Sequence, residues 1–268
     1  ISSLEKELNA RLFVRNTKEV KLSDDGKDLY RYARQMIDLQ KKIEERFETG
    51  KEESKHLITI AASTIPAQYL LPKILMKFNE RYPKEQVKLL ETDSSQVVTQ
   101  IIDHMVDVGF TGTVLEKKHC KYIPFYKDEL VVITPNTEKY QKLLEDMPDD
   151  ISWIGGEHLI MREEGSGTRK EAGKQLRAAG INLDKLKIIA SIENQETIKK
   201  SVKQGMGISV ISRLAAEDEV KYGDLLAFSI PKADQGRDIN LVYNKNYQMS
   251  KSTERFVKIV KEVYGIEE

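Results

Sequence analysis

The sequence predicts an α/β protein of two lobes, preceded by one long helix and a small basic hairpin unit. Three observations carry this. After residue 56, short apolar runs alternate with amphipathic segments, the pattern of layered sheets and helices. That stretch is about 210 residues long, more than one sheet and its core usually hold. Ahead of it, Leu29, Tyr32, Met36, Leu39, Ile43 and Phe47 recur at steps of three or four residues, close to a heptad seam.

Composition narrows the function. Of 268 residues, 40% are hydrophobic and 32% charged, which fits a globular core and excludes a disordered chain. The 43 cationic residues balance the 43 acidic ones, so any basic patch is local. One cysteine, Cys120, excludes an internal disulfide framework and suits a reducing compartment. No apolar run approaches the ~18 residues of a membrane span, and the N-terminus has no signal-peptide pattern. The chain opens on Ile1, not Met, so further residues are expected upstream.

The elements follow in order. Ile1, Leu4 and Leu8 fall at helical spacing, and Asn9 suits a helix stop. Leu12 and Phe13 are candidates for a small core. Val20 and Leu22 alternate with polar residues beyond Asn16-Thr17, predicting a hairpin that gathers Arg11, Arg15, Lys18 and Lys21. The long helix is expected over 23–49, with Ser23 as cap and Asp24 and Asp25 at the positive end of its dipole. Its stripe either lies on its own domain or pairs two subunits. No neighbouring segment obviously covers it, which favours pairing. A polar hinge is expected at 50–55.

Strands are then expected at 57–62, 87–90, 106–110, 122–126, 130–134, 158–161, 186–192, 208–211, 225–230 and 239–243. Helices are expected at 66–81, 94–105, 196–204, 214–220 and 252–263, with another ending at Ala179. Pro72 is expected to kink the first of these and Pro83 to stop it. The alternation predicts mostly parallel strands.

Four polar junctions follow predicted strands: Ser63-Thr64, Thr111-Gly112-Thr113, Gly165-Ser166-Gly167-Thr168 and Glu193-Asn194-Gln195. In open α/β sheets ligands bind beyond the carboxyl ends of strands, so two facing lobes would bring these segments to one cleft. The helix start after Gly165 favours an anion, although a plain turn with a serine cap gives the same sequence. The expected chemistry is uncharged: hydroxyls, amides and backbone N–H groups around a small oxyanion or carboxylate. Catalysis finds little support. His56, His104, His119 and His158 are scattered, His119-Cys120 is merely adjacent, and Ser166 sits in no nucleophile elbow. Neither a metal nor a cofactor is expected.

Residues 1–15, ISSLEKELNARLFVR, resemble the end of the DNA-binding domain of LysR-type transcriptional regulators, with Asn9 where that family usually has Gly. Leu22-Ser23-Asp24-Asp25-Gly26 is similar to the family's entry to its linker helix. Residues 163–169 and 205–209 are similar to two segments of its effector domain, in a style nearest its sulfur-assimilation and cysteine-biosynthesis branch.

The resemblance implies a partial winged helix-turn-helix at 1–22, a linker and dimerisation helix with its hinge at 23–55, and an effector domain at 56–268. That domain would resemble type 2 periplasmic binding proteins, with lobe one at 57–131 and 237–268 and lobe two at 132–236. It implies a cytoplasmic regulator of double-stranded promoter DNA, acting as a homodimer or homotetramer without a membrane partner. A small anionic effector, such as a sulfur oxyanion or an amino-acid precursor, would sit between the lobes. Ser63, Thr64, Thr111, Ser166, Gly167 and Thr168 are the expected shell, with Asn194 beside them. Arg15, Lys18 and Lys21 would contact phosphate or remain solvated charges. Leu29, Tyr32, Met36, Leu39 and Ile43 would form the dimer seam. The base-reading start of the recognition helix would lie upstream of Ile1. A solute-binding protein of the same two-lobe fold is the alternative, and a two-lobe α/β enzyme is a more distant one.

Overall fold

The computed structural model describes residues 1–16, 19–47, 57–146, 150–231 and 236–266. Lys18, the expected hinge at 50–55 and His56 lie outside the described residues, as do the side chains of Arg15 and Phe47.

At the N-terminus, helix α1 (Ser2–Glu7) ends where Asn9 takes the left-handed conformation, φ 47°. Glu5 then accepts the backbone N–H of Leu12 at 2.8 Å and turns the chain back. Strands β1 (Phe13–Asn16) and β2 (Glu19–Leu22) pair antiparallel, with Phe13 opposite Leu22. Ser23 caps helix α2 (Asp24–Phe47) by accepting the N–H of Gly26 at 2.9 Å. A Cβ on Gly26 would stand 2.0 Å from the Leu12 carbonyl oxygen, so this helix start fits against the hairpin only without a side chain. Tyr32, Met36, Leu39 and Ile43 are all more than half exposed along α2, while Leu29 is half-buried.

The rest of the chain builds two five-stranded sheets. The first contains β3 (Leu57–Ala62), β4 (Gln86–Glu91), β5 (Val108–Thr111), β6 (Cys120–Asp128) and β12 (Arg237–Asn244), in the order β4-β3-β5-β12-β6. Helices α3 (Leu71–Arg81), α4 (Ser94–Ile102) and α9 (Lys251–Tyr264) pack on it. The second contains β7 (Leu130–Pro135), β8 (His158–Met161), β9 (Lys187–Ser191), β10 (Ile208–Ser212) and β11 (Leu225–Ser229), in the order β11-β7-β10-β8-β9. With it go α5 (Glu138–Asp146), α6 (Gly167–Ala178), α7 (Gln195–Lys203) and α8 (Arg213–Lys221).

The expectation of mostly parallel strands needs correction. β3 pairs parallel with β4 and β5, and β8 with β9 and β10, but β12 and β7 each pair antiparallel on both sides. The cause is the crossover. The chain leaves the first sheet at β6, enters the second at β7, and returns at β12 to lie against β6. A strand that returns beside the one that left runs against it. Leu130 and Val131 consequently sit in the second sheet, and the outgoing crossover is Glu129 alone.

The expected kink near Pro72 is a π-helical turn, Pro66–Leu70, directly before α3. Helix α5 and a short 3₁₀ turn at Ser152–Gly156 were not expected. One apolar cluster spans both sheets, joining Ile60, Phe110 and Phe256 to Ile133, Ile198 and Ile211. Phe256 stacks edge-on to Phe78 at 5.2 Å. A second cluster around Leu130, Leu159 and Leu176 belongs to lobe two.

Candidate binding cleft between the lobes

The cleft forms where strands of both lobes end and helices begin. In lobe one, β3 runs out into Ser63 and Thr64, with the Ser63 N–H held by the Phe110 carbonyl at 2.9 Å. Beside them α4 begins at Ser94, capped by Asp93, whose carboxylate accepts the N–H groups of Ser95 and Gln96 at 2.7 and 3.0 Å. In lobe two, β8 runs out into Arg162 and Glu163, and α6 begins at Gly167 with Ser166 as its cap. The N-termini of α4 and α6 therefore meet. A Cβ on Gly165 would lie 3.0 Å from the Asp93 carboxyl carbon, and one on Gly167 would lie 2.7 Å from the Ser94 hydroxyl. At Gly167 a side chain would force the Ser94 hydroxyl aside, and at Gly165 it would press on the Asp93 carboxylate.

The expectation of uncharged chemistry needs correction as well. Two buried arginines line the cleft. The Arg162 Nε and Nη2 atoms donate to the Glu163 carboxylate at 2.8 and 2.9 Å, and Nη2 lies 3.5 Å from the Thr64 hydroxyl of the other lobe. Arg237 stands opposite Asp128 in the β6–β12 ladder and donates to it from Nε at 2.9 Å. Its Nη1 reaches the Thr168 hydroxyl at 3.1 Å. Asp128 also accepts the Ser212 hydroxyl at 2.5 Å, so its charge is fully paired. Arg162 escaped the sequence reading because it lies one residue past an apolar strand and reads as loop. Its position at a strand's carboxyl end was the available signal. Arg237 sits in a polar stretch that carries no pattern.

Ser63, Thr64, Ser166, Gly167 and Thr168 all line the cleft. Thr111 does not: it is fully buried at the end of β5, and its hydroxyl donates to the Thr113 carbonyl at 2.9 Å. Asn194 is exposed and caps α7, accepting the Thr197 N–H at 2.9 Å. The pocket these residues line, between the N-termini of α4 and α6, holds about 10 Å³. That admits roughly one water. A small-molecule pocket ordinarily offers ~300 Å³ or more, so this is a closed arrangement.

Elsewhere, burial pushes the Cys120 thiol up to about 11, away from a reactive thiolate. Its neighbour His119 instead faces Glu116, with Nδ1 at 3.6 Å. Among the described residues no group of His, Cys, Asp and Glu could hold a metal ion, and no helix is long and apolar enough to cross a membrane. Lys21 is exposed on β2.

Residues 51–265 match the model of the LysR substrate binding domain. The chain is 29% identical to an uncharacterised HTH-type transcriptional regulator of Methanocaldococcus jannaschii, over 98% of this chain and 88% of that one. It is 28% identical to the uncharacterised HTH-type transcriptional regulator YeiE of Escherichia coli K12, over 96% of this chain and 84% of that one. Among solved structures, it is similar to the regulatory domain of CcmR from Synechocystis in complex with 2-PG. The TM-score is 0.68 at 25% identity, covering 79% of this chain and 98% of that one.

Proposed function

The chain belongs to the LysR family of transcriptional regulators, as a ligand-sensing member, and on that premise we propose that its effector is a small anion held in the interlobe cleft. The single observation behind this is the pair of buried arginines, Arg162 and Arg237, where the N-termini of α4 and α6 meet. Helix N-termini and guanidinium groups both favour negative charge, and burial strengthens both effects. Ser63, Thr64, Ser166, Gly167 and Thr168 supply neutral donors around them. A sulfur oxyanion, an amino-acid precursor and 2-PG, the ligand of the Synechocystis relative, are the first candidates.

In this reading residues 23–47 pair two subunits through Leu29, Tyr32, Met36, Leu39 and Ile43. Arg15, Lys18 and Lys21 position the duplex by phosphate contact. The protein works in the cytoplasm, as a dimer or tetramer, and performs no catalysis. Effector binding shifts the balance of lobe or subunit arrangements by ~1–3 kcal/mol of coupling. The exposed stripe on α2 favours this over a solute-binding protein, which has no use for a pairing helix.

The test is Ser166→Ala combined with Thr168→Val. Anion binding, read by thermal unfolding and by fluorescence of Trp153, should weaken at least ~10-fold, or ~1.4 kcal/mol. Trp153 reports on lobe two, where it packs against Phe228 at 5.1 Å. Sedimentation should show the same oligomer. Unchanged anion affinity would mean the pocket lies elsewhere.

A further inference from the structure

We propose that Glu163 is a tethered occupant of the anion seat on Arg162, and that the effector binds by taking its place. This rests on the interlobe cleft being the effector site. Arg162 as a residue is only 5% exposed, so its guanidinium must keep an anionic partner. Glu163 fills that role in bidentate form, one carboxylate oxygen on Nε and the other on Nη2.

The two partners are not held alike. The Arg162 side chain is 6% exposed and that of Glu163 is 21%, so of the two partners Glu163 has the greater contact with solvent. The Arg162 carbonyl is fixed by Arg169 Nη1 at 2.9 Å and by the Ser191 hydroxyl at 3.4 Å. The Glu163 carbonyl accepts the Ser166 N–H at 3.1 Å. The backbone therefore stays in place while the Glu163 side chain swings out.

Space makes exchange necessary. The pocket beside Arg162 holds about 10 Å³ and Glu163 occupies both Nε and Nη2, so an anion takes that seat only as Glu163 leaves it. Exchange also conserves the buried charge: one anion departs as one arrives, and the arginine is never left unpaired. The seat therefore takes a ligand with two anionic oxygens on one centre, a carboxylate or a tetrahedral oxyanion. It also sets a threshold. A tethered carboxylate acts at high effective concentration, so simple anions that bind arginine weakly are kept out.

The experiment uses the whole chain and its Glu163→Ala and Glu163→Gln variants, with acetate and sulfate as probes and chloride at matched ionic strength as control. Removing the tethered carboxylate should lower the unfolding midpoint of Glu163→Ala. Acetate or sulfate should restore it by several degrees more than chloride does, through binding to the folded state. The variant should bind the restoring anion at least ~10-fold more tightly than the unmodified chain, and adding Arg162→Gln should abolish the gain. Rescue by acetate marks a carboxylate effector, and rescue by sulfate a tetrahedral one. Glu163→Gln keeps the shape of the side chain, and its affinity is expected to rise likewise should Glu163→Ala fail to fold. Anion binding by the unmodified chain with no gain in either variant overturns the exchange and leaves the cleft as the effector site. No binding of either probe by any of the three chains overturns both.

Discussion

Arg237 joins three parts of the molecule through one guanidinium. It pairs with Asp128 where the chain leaves lobe one, and it touches Thr168 at the start of α6 in lobe two. Both charges are buried, with side-chain exposures of 4% and 0%. A buried pair of this kind can be nearly neutral in net stability, because two desolvated charges offset their attraction. Removing one partner is another matter, since the survivor is left buried and unpaired. Arg237→Met should therefore cost ~3–5 kcal/mol in chemical denaturation, far more than loss of an exposed ion pair such as Lys27–Asp24 would. Replacing Asp128 and Arg237 together by apolar residues should recover much of that loss. A double variant as unstable as the single one would mean that the Thr168 and Ser212 contacts, not the charge pair, dominate.

At the scale of elements, legibility follows locality. The paired strands at 13–16 and 19–22, the Ser23 cap and α2 over Asp24–Phe47 were readable, because each depends on a pattern within a few residues. Three of the four polar junctions lead from strand to helix and were readable for the same reason, and two of them, at Ser63-Thr64 and at 165–168, meet at the cleft, whereas Thr111-Gly112-Thr113 leads from β5 towards β6. What was not readable depends on the crossover. The antiparallel placement of β12 between β5 and β6 is set by a strand that returns more than a hundred residues later. Arg237 enters the cleft only because of that return, so no local pattern around it could announce a ligand. Asn194 shows the opposite error: a polar residue at a strand-to-helix junction serves its own helix as a cap. The stripe on α2 is a local pattern whose purpose is not local. Met36 is 72% exposed and Ile43 51%, and apolar side chains in such a row gain by burial against another surface. Met36→Glu with Ile43→Glu should yield monomers in sedimentation equilibrium, with anion binding in the cleft retained. A dimer that survives both changes would place the pairing surface on another element.

For the whole molecule, the proposed function makes the closeness of the lobes the quantity on which sensing turns. The Asp93–Gly165 and Ser94–Gly167 contacts bring two helix N-termini together, and the apolar cluster shared by both sheets favours that approach. Like partial charges at the two N-termini oppose it. Glu163 pairs with Arg162 and Asp128 with Arg237 at this point, so in the proposed exchange the anion that replaces Glu163 changes the contacts between the lobes while the buried charge stays paired. A ligand changes that balance only through its different affinity for the open and closed arrangements. Gly167→Ala tests this without removing any polar group. Its methyl would stand 2.7 Å from the Ser94 hydroxyl, inside contact distance, and so disfavours closure. The substitution also raises the helix propensity of α6, so a loss of function could not be blamed on a weakened helix. The expected result is a larger radius of gyration in small-angle scattering, weaker anion binding, and an unfolding midpoint close to that of the unmodified chain. Anion affinity that stays unchanged while the molecule expands would mean that the ligand is held by lobe two alone. Arg162, Ser166 and the α6 N-terminus would then form the whole site, and lobe one would respond to the ligand without gripping it.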